Sequence, residues 1–427
     1  MIKETIIVAL LTFTSNCCFS QIKNHVIDNT VPIKSADMND TLYNDLLPLQ
    51  QAIGNKRVVM LGEIYHGDGE TFKLKSRIVR FLHEQMGFNV LVFESDFFAL
   101  NQGYECYKAG QILYDSLLYL SVFPVWTRCA QARALFYYTR ESTERMHGRE
   151  LVISGMDNRG FSAYFIRYFS RKLDSLLRQA DIPFLQTSSY SFFIDKIDAG
   201  WATEKDKTTL DSLVALLPVV IEELGAKQSQ LHDAGIEYYI LVLRGLLDNY
   251  KMLLHYRHSN EYKVYKKDYP HHDLGMAQNL NWLANNKFPD EKIIVWAHNT
   301  HVEKRKGELK YAKYKSMGQY FIEDSLLAKQ TYILGTTCFT GSGKIIGLKT
   351  IEKAAKPEKN SLESWMHSKK CQYGFIDFSS IIDKESIAPF YMKTYLMSTY
   401  KQNWTKMYDG ILYVHEAKPC IEQEFIK

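Results

Sequence analysis

Two stretches of this chain carry imidazoles and carboxylates at spacings suited to proton transfer. The first runs Val58-Val59-Met60-Leu61-Gly62-Glu63-Ile64-Tyr65-His66-Gly67-Asp68-Gly69-Glu70. An apolar run of strand character ends in a glycine and then delivers Glu63 and His66 three residues apart. The second is Lys292-Ile293-Ile294-Val295-Trp296-Ala297-His298-Asn299-Thr300-His301, a buried strand pattern leading straight into two imidazoles. A carboxylate beside a histidine sets its tautomer and raises its basicity, which is what a general base needs. One histidine at a strand end is ordinarily a structural residue. Two such elements in one chain, with Glu94 and Asp157 ending other strand patterns, point to a site.

The elements that must position these groups read as α/β. After the Gly67-Asp68-Gly69 turn, Leu74, Ile78, Phe81 and Leu82 follow a helical period with Lys75 in the early turns, and Gly87 closes that helix. Phe88–Phe93 is a second strand ending at Glu94-Ser95-Asp96, so a βαβ unit with parallel, neighbouring strands is expected. In open α/β sheets the functional crevice lies at the carboxyl ends of the strands, where Glu63, His66 and Glu94 fall. Residues 101–149 look mainly helical, with Trp126 among the buried positions, and Leu151–Asp157 is a further strand ending in an acid.

From about Phe161 to His258 the pattern turns helical. Ile236, Ile240, Leu243, Leu247, Tyr250 and Leu254 recur at steps of four and three, the seam of a helix packed on another helix. After Pro270 a new helix is expected with Asp273 as its N-cap. Tyr332–Thr337 and Asp409–Val414 read as strands, and the lysine-rich stretch from Lys353 to Lys370 as a solvated loop. The reading is therefore an α/β fold with a mostly parallel central sheet flanked by helices and an inserted helical subdomain. It assigns residues 21–160 and 269–427 to the two parts of an α/β core and residues 161–268 to the insertion.

Composition narrows the class. The chain has 427 residues, 46% hydrophobic and 23% charged, enough to bury a sizeable core. A net charge of +4 with scattered lysines gives no footprint for nucleic acid. Met1-Ile2-Lys3, the apolar run Ile6–Phe13 and small residues up to Ser20 read as a secretory signal over residues 1–20, too short to span a bilayer as a mature helix. A secreted or periplasmic location is expected, with no stable membrane insertion once the leader is removed. Outside the leader, Cys106, Cys129, Cys338, Cys371 and Cys420 form no CxxC spacing, which argues against a disulfide framework or a cysteine zinc site and leaves room for one bridge.

The order LGEIYHG, FES, SGMD, DLGMAQNLNW, VWAHNTHV, SMGQY and YDGILYV resembles the erythromycin esterase family over roughly residues 40–415. GE-x-x-H alone also occurs in ChaN-like iron-regulated proteins and Tiki-type proteases; joined to AHN-x-H it favours the esterases. The resemblance implies a hydrolase that opens a macrolide lactone with water, requiring no metal or other cofactor. It carries catalytic positions onto Glu63, His66, Glu94, His298 and His301, with Lys75 where relatives have lysine or arginine. Asp157, Trp126 and Asn299 are candidates for substrate contact. The chain departs from the pattern at His272, where many members have arginine, and at Ala130-Gln131, where an acidic pair is usual, and its leader is unlike the cytoplasmic resistance enzymes.

Ester hydrolysis needs a base for water, a donor for the developing oxyanion and a proton for the departing alkoxide. The expected assignment makes His66 the base, oriented by Glu63 or Glu94, with Lys75 and one of His298 or His301 polarising the carbonyl. No G-x-S-x-G elbow for a serine nucleophile is present. The alternatives are a metal-dependent hydrolase built on the same histidines and carboxylates, and a periplasmic iron- or haem-binding protein without turnover.

Overall fold

A computed structural model describes residues 21–145, 148–198, 207–259, 262–305 and 314–424. The expected leader over residues 1–20 lies outside them. The strands are β1 (Val31–Ile33), β2 (Val58–Leu61), β3 (Val90–Asp96), β4 (Val152–Asp157), β5 (Ile293–Trp296), β6 (Thr331–Gly343), β7 (Glu352–Lys353), β8 (Tyr373–Asp377), β9 (Phe390–Tyr395), β10 (Ser398–Gln402) and β11 (Gly410–Ala417). The helices used below are α1 (Gly69–Met86), α2 (Phe97–Lys108), α3 (Ala163–Ala180), α4 (Lys207–Leu231), α5 (Ala234–Ser259), α6 (Tyr262–Trp282) and α7 (Leu362–His367). Among the described residues no helix is long and apolar enough to cross a membrane.

The chain forms two compact units. The first takes residues up to Asn89, Pro124–Leu151 and Lys292–Glu424. Its sheet runs β1-β8-β11-β6-β2-β5, with β7 on the far end of β6. β2 pairs in parallel with both β5 and β6, and β6 with β11, whereas β8 is antiparallel to β1 and β11. Both faces of β2 and β5 are covered, which is why their sequences are unbroken apolar runs rather than alternating ones. The fold is α/β with a mixed central sheet flanked by helices.

One expected adjacency fails. β2 has β5 on one edge and β6 on the other, so β3 does not lie beside it. A crossover helix commits two strands to a direction without making them neighbours. The later run Ile293–Trp296, buried throughout, takes the place at β2.

Helix α1 follows β2 and starts where its cap dictates. Asp68 Oδ1 accepts from the backbone N–H groups of Glu70 and Thr71, at 3.1 and 3.3 Å. Gly87 ends the helix in the left-handed region, at φ 71°, where a side chain would be strained. A two-stranded antiparallel hairpin, β9–β10, stands off the main sheet. The lysine-rich stretch expected as a loop contains α7, because Leu362, Trp365 and Met366 share one buried face. Its Glu363 is also buried, accepting from Thr337 Oγ1 at 2.6 Å and the backbone N–H of Lys393 at 2.7 Å.

The second unit takes Val90–Phe123 and Val152–Glu291. β3 and β4 pair in parallel there, and α5 packs against both α4 and α6, as the four-and-three spacing required. Asp273 does not begin a helix. It lies fully buried inside α6, which starts at Tyr262. Polar residues of α5 and α6 support the end of β4: Asn249 Nδ2 donates to the Asn158 carbonyl at 3.1 Å, and Asn279 Nδ2 to that of Met156 at 3.0 Å.

Candidate active site

The first unit brings the two chemical stretches together. β2 ends at Leu61, and Gly62 permits the close approach that follows: a Cβ there would lie 2.3 Å from Asn299 Oδ1. The loop places Glu63 fully buried, with each carboxylate oxygen occupied. Oε1 accepts from His66 Nδ1 at 2.7 Å and from the Trp126 indole N–H at 3.3 Å, and Oε2 accepts from Lys75 Nζ at 2.9 Å. Burial raises the carboxyl pKa, but the Lys75 ammonium and the bonded His66 outweigh it and hold Glu63 below its ordinary range. An ionised Glu63 can only accept, so His66 carries its proton on Nδ1 and its basic lone pair on Nε2. The His66 side chain is 29% exposed, against 0% for Glu63 and Lys75.

Lys75 is held from both sides. Its ammonium meets Glu63 on one face and lies 4.1 Å from the centre of the Trp296 ring on the other. The expected role of polarising a substrate carbonyl does not suit a group with no exposed surface. Its geometry makes it the counter-charge of Glu63.

His298 caps the short helix Asn299–Val302 at the end of β5, its ring centre 5.2 Å from that of His66. The backbone N–H of Thr300 donates to its Nδ1 at 3.1 Å, which leaves the proton on Nε2, and this donates to the Ile64 carbonyl at 3.1 Å. Nε2 thus ties the loop after β5 to the loop after β2, while Nδ1 is bonded within its own loop. His301 follows one turn later, buried, with its ring centre 6.4 Å from that of His298.

Two expected substrate contacts are occupied otherwise. Asn299 is wholly buried: its amide donates to the carbonyls of Thr336 and Thr394, its Oδ1 accepts from the Thr336 N–H, and its backbone N–H donates to the Glu63 carbonyl at 2.8 Å. Trp126 is buried with its N–H turned to Glu63 and its ring edge-on to His66 at 5.8 Å. Glu94 and Asp157 belong to the second unit. Glu94 is buried near the end of β3, and Asp157 is bound by the Arg159 guanidinium at 3.0 and 3.1 Å from Nε, with His272 Nε2 at 3.3 Å. Burial raises the Asp157 pKa, but Arg159 and His272 outweigh it and hold the carboxyl well below its ordinary value.

Among the described residues no group of three or more His, Cys, Asp or Glu side chains is arranged to hold a metal ion. A disulfide joins Cys129 to Cys420, with Cα atoms 5.3 Å apart. Cysteine spacing left that pairing open, since the two residues are 291 positions apart. Gln131 secures the same junction, donating to the Pro419 carbonyl and accepting from the Ile421 N–H, both at 3.0 Å.

The family model of erythromycin esterase matches residues 83–417. The chain belongs to the erythromycin esterase family. Among curated relatives of this family member, YbfO of Bacillus subtilis strain 168, which bears the provisional name of a hydrolase, is 26% identical over 415 residues, covering 90% of this chain and 89% of that one. Erythromycin esterase type II of Escherichia coli is 27% identical over 306 residues, 65% of this chain and 68% of its own. A solved Bacillus cereus protein shares the fold with a TM-score of 0.73 at 20% identity, covering 95% of this chain and 99% of that chain. An erythromycin esterase mutant in its open conformation gives a TM-score of 0.64 at 16% identity, covering 91% and 98%. Membership of the erythromycin esterase family makes the chain a hydrolase.

Proposed function

We propose that this protein hydrolyses a carboxylic ester or lactone by attack of water activated at His66. The observation that carries the reading is the polarised chain Lys75–Glu63–His66, buried at its first two members and solvent-reaching at the third. Glu63 keeps Nδ1 protonated, so Nε2 takes the proton from water, and the imidazolium that forms rests against a carboxylate already balanced by Lys75. The same imidazolium then supplies the proton that the departing alkoxide needs.

Macrolide lactones are the first substrates to try, because the Escherichia coli relative is named for erythromycin. Action outside the cytoplasm is part of the proposal. It is supported by the leader pattern and by the Cys129–Cys420 bridge, a bond that persists in oxidising compartments.

The test is turnover of macrolides and simple lactones by the parent protein and by His66→Ala. Parent activity is expected on at least one ester, with a loss of about a hundredfold or more in the folded variant. Equal rates for the two proteins would remove His66 from the reaction.

A further inference from the structure

The three groups expected to polarise the carbonyl are withdrawn from solvent or occupied: Lys75 is sealed behind Glu63, the Nε2–H of His298 donates to the Ile64 carbonyl, and His301 is buried. The site still needs a donor for the oxyanion that forms when water adds to an ester. Hairpin β9–β10 brings a phenol beside His298. Its residue Tyr395 places a ring 5.5 Å from that of His298 and 6.1 Å from that of Tyr65. Around it, Lys393, Thr394 and Leu396 are buried, whereas Tyr395 is partly open to solvent.

Its position is fixed from both sides. The Thr394 carbonyl accepts from Asn299 Nδ2 at 3.1 Å, and the Leu396 N–H donates to the Ile64 carbonyl at 3.2 Å. Ile64 and Asn299 are neighbours of Glu63 and His298 in sequence, so bonds to those two loops also fix the backbone on either side of Tyr395. Tyr65 is buried and Tyr395 only partly so, which makes Tyr395 the more accessible of the two phenols.

We propose that the Tyr395 hydroxyl is a catalytic residue, donating a hydrogen bond to the carbonyl oxygen of the ester as it becomes an oxyanion. This rests on the ester-hydrolase reading of the preceding section. The phenol keeps its proton throughout: water supplies the nucleophile, His66 accepts and returns the proton, and the acyl C–O bond breaks to release alkoxide as alcohol.

The test compares the parent, His66→Ala, Tyr395→Phe and Tyr65→Phe on whichever ester the parent turns over. Phenylalanine at 395 preserves the ring contact with His298, so the fold and KM are expected to hold while kcat falls by about a hundredfold, the typical effect of losing one oxyanion donor. Binding of a phosphonate analogue of the tetrahedral intermediate should weaken in parallel, and Tyr65→Phe should stay within about threefold of the parent, because a role confined to packing moves neither quantity. Parent-like kcat and analogue affinity in Tyr395→Phe, with His66→Ala inactive, would overturn the assignment of Tyr395 alone. A parent protein idle on every ester would overturn the hydrolase reading and this assignment with it.

Discussion

Replacing Glu63 by glutamine tests the centre of the site in two independent ways. The substitution preserves shape and removes one charge, leaving the Lys75 ammonium with 0% exposure and no carboxylate opposite. Breaking a buried ion pair from one side costs about 3–5 kcal/mol, since the remaining charge has lost its water as well as its partner. The Trp296 ring 4.1 Å away compensates only weakly, by roughly 1–2 kcal/mol for a desolvated cation. The double variant Glu63→Gln/Lys75→Met removes both charges and should recover at least about half of the loss, as neutral replacement of buried pairs commonly does. Activity should stay about a hundredfold down or lower in both proteins, because His66 has lost its carboxylate. Urea unfolding followed by tryptophan fluorescence gives the stabilities, and ester turnover gives the rest. A single variant within about 1 kcal/mol of the parent, or a double variant no more stable than the single, would refute the pairing of Lys75 with Glu63. The pH dependence must agree. Glu63 has a folded pKa below its ordinary 4.5, so its contribution is present above that value and is lost as pH falls through the lowered one. The parent should therefore lose stability relative to the double variant on acidification.

Asp96 makes the opposite prediction. Burial pushes its carboxyl up to about 7, despite bonds from the backbone N–H groups of Ala99 and Ser162. A raised carboxyl pKa stabilises the fold below 3.8, and that contribution is lost as pH rises through 7, so Asp96→Asn should gain stability over the parent between pH 5 and about pH 8. An unchanged difference across that range, measured by denaturation at each pH, would contradict it. Cys420→Ser should lower stability by about 2–5 kcal/mol and expose one further thiol, Cys129, to a thiol reagent under denaturing, non-reducing conditions. Equal thiol counts in the parent before and after reduction would show that the bridge does not form.

The meeting of Glu63, His66 and His298 was legible because each follows an apolar strand closely, and strand ends share an edge of the sheet. What the residues do there was not. Lys75 looked like a donor to substrate, and only its burial beneath Glu63 and Trp296 shows it as a counter-charge. The indole of Trp126 reaches Glu63 across 63 positions of sequence, a contact that no periodicity signals. Tyr395 carried no local sign either, since its importance comes from bonds made by Thr394 and Leu396 to distant loops. The adjacency of β2 and β3 failed for a related reason. Local pattern identifies a strand, whereas its neighbours are chosen by competition among all the apolar runs in the chain.

The cystine has a bearing on how the protein is made. Trp126 stands three residues before Cys129, and the N–H of Cys129 donates to the Trp126 carbonyl at 3.1 Å, so the cross-link holds the turn that presents the indole. Its other sulfur arrives 291 residues later in synthesis, after every strand of the sheet has been translated. Fastening that turn is therefore among the final acts of maturation, and it waits on an electron acceptor supplied by the surroundings. Newly made protein kept in a reducing milieu would hold the Trp126 indole, and with it the Glu63–His66 pair, in a looser frame than the same polypeptide after oxidation.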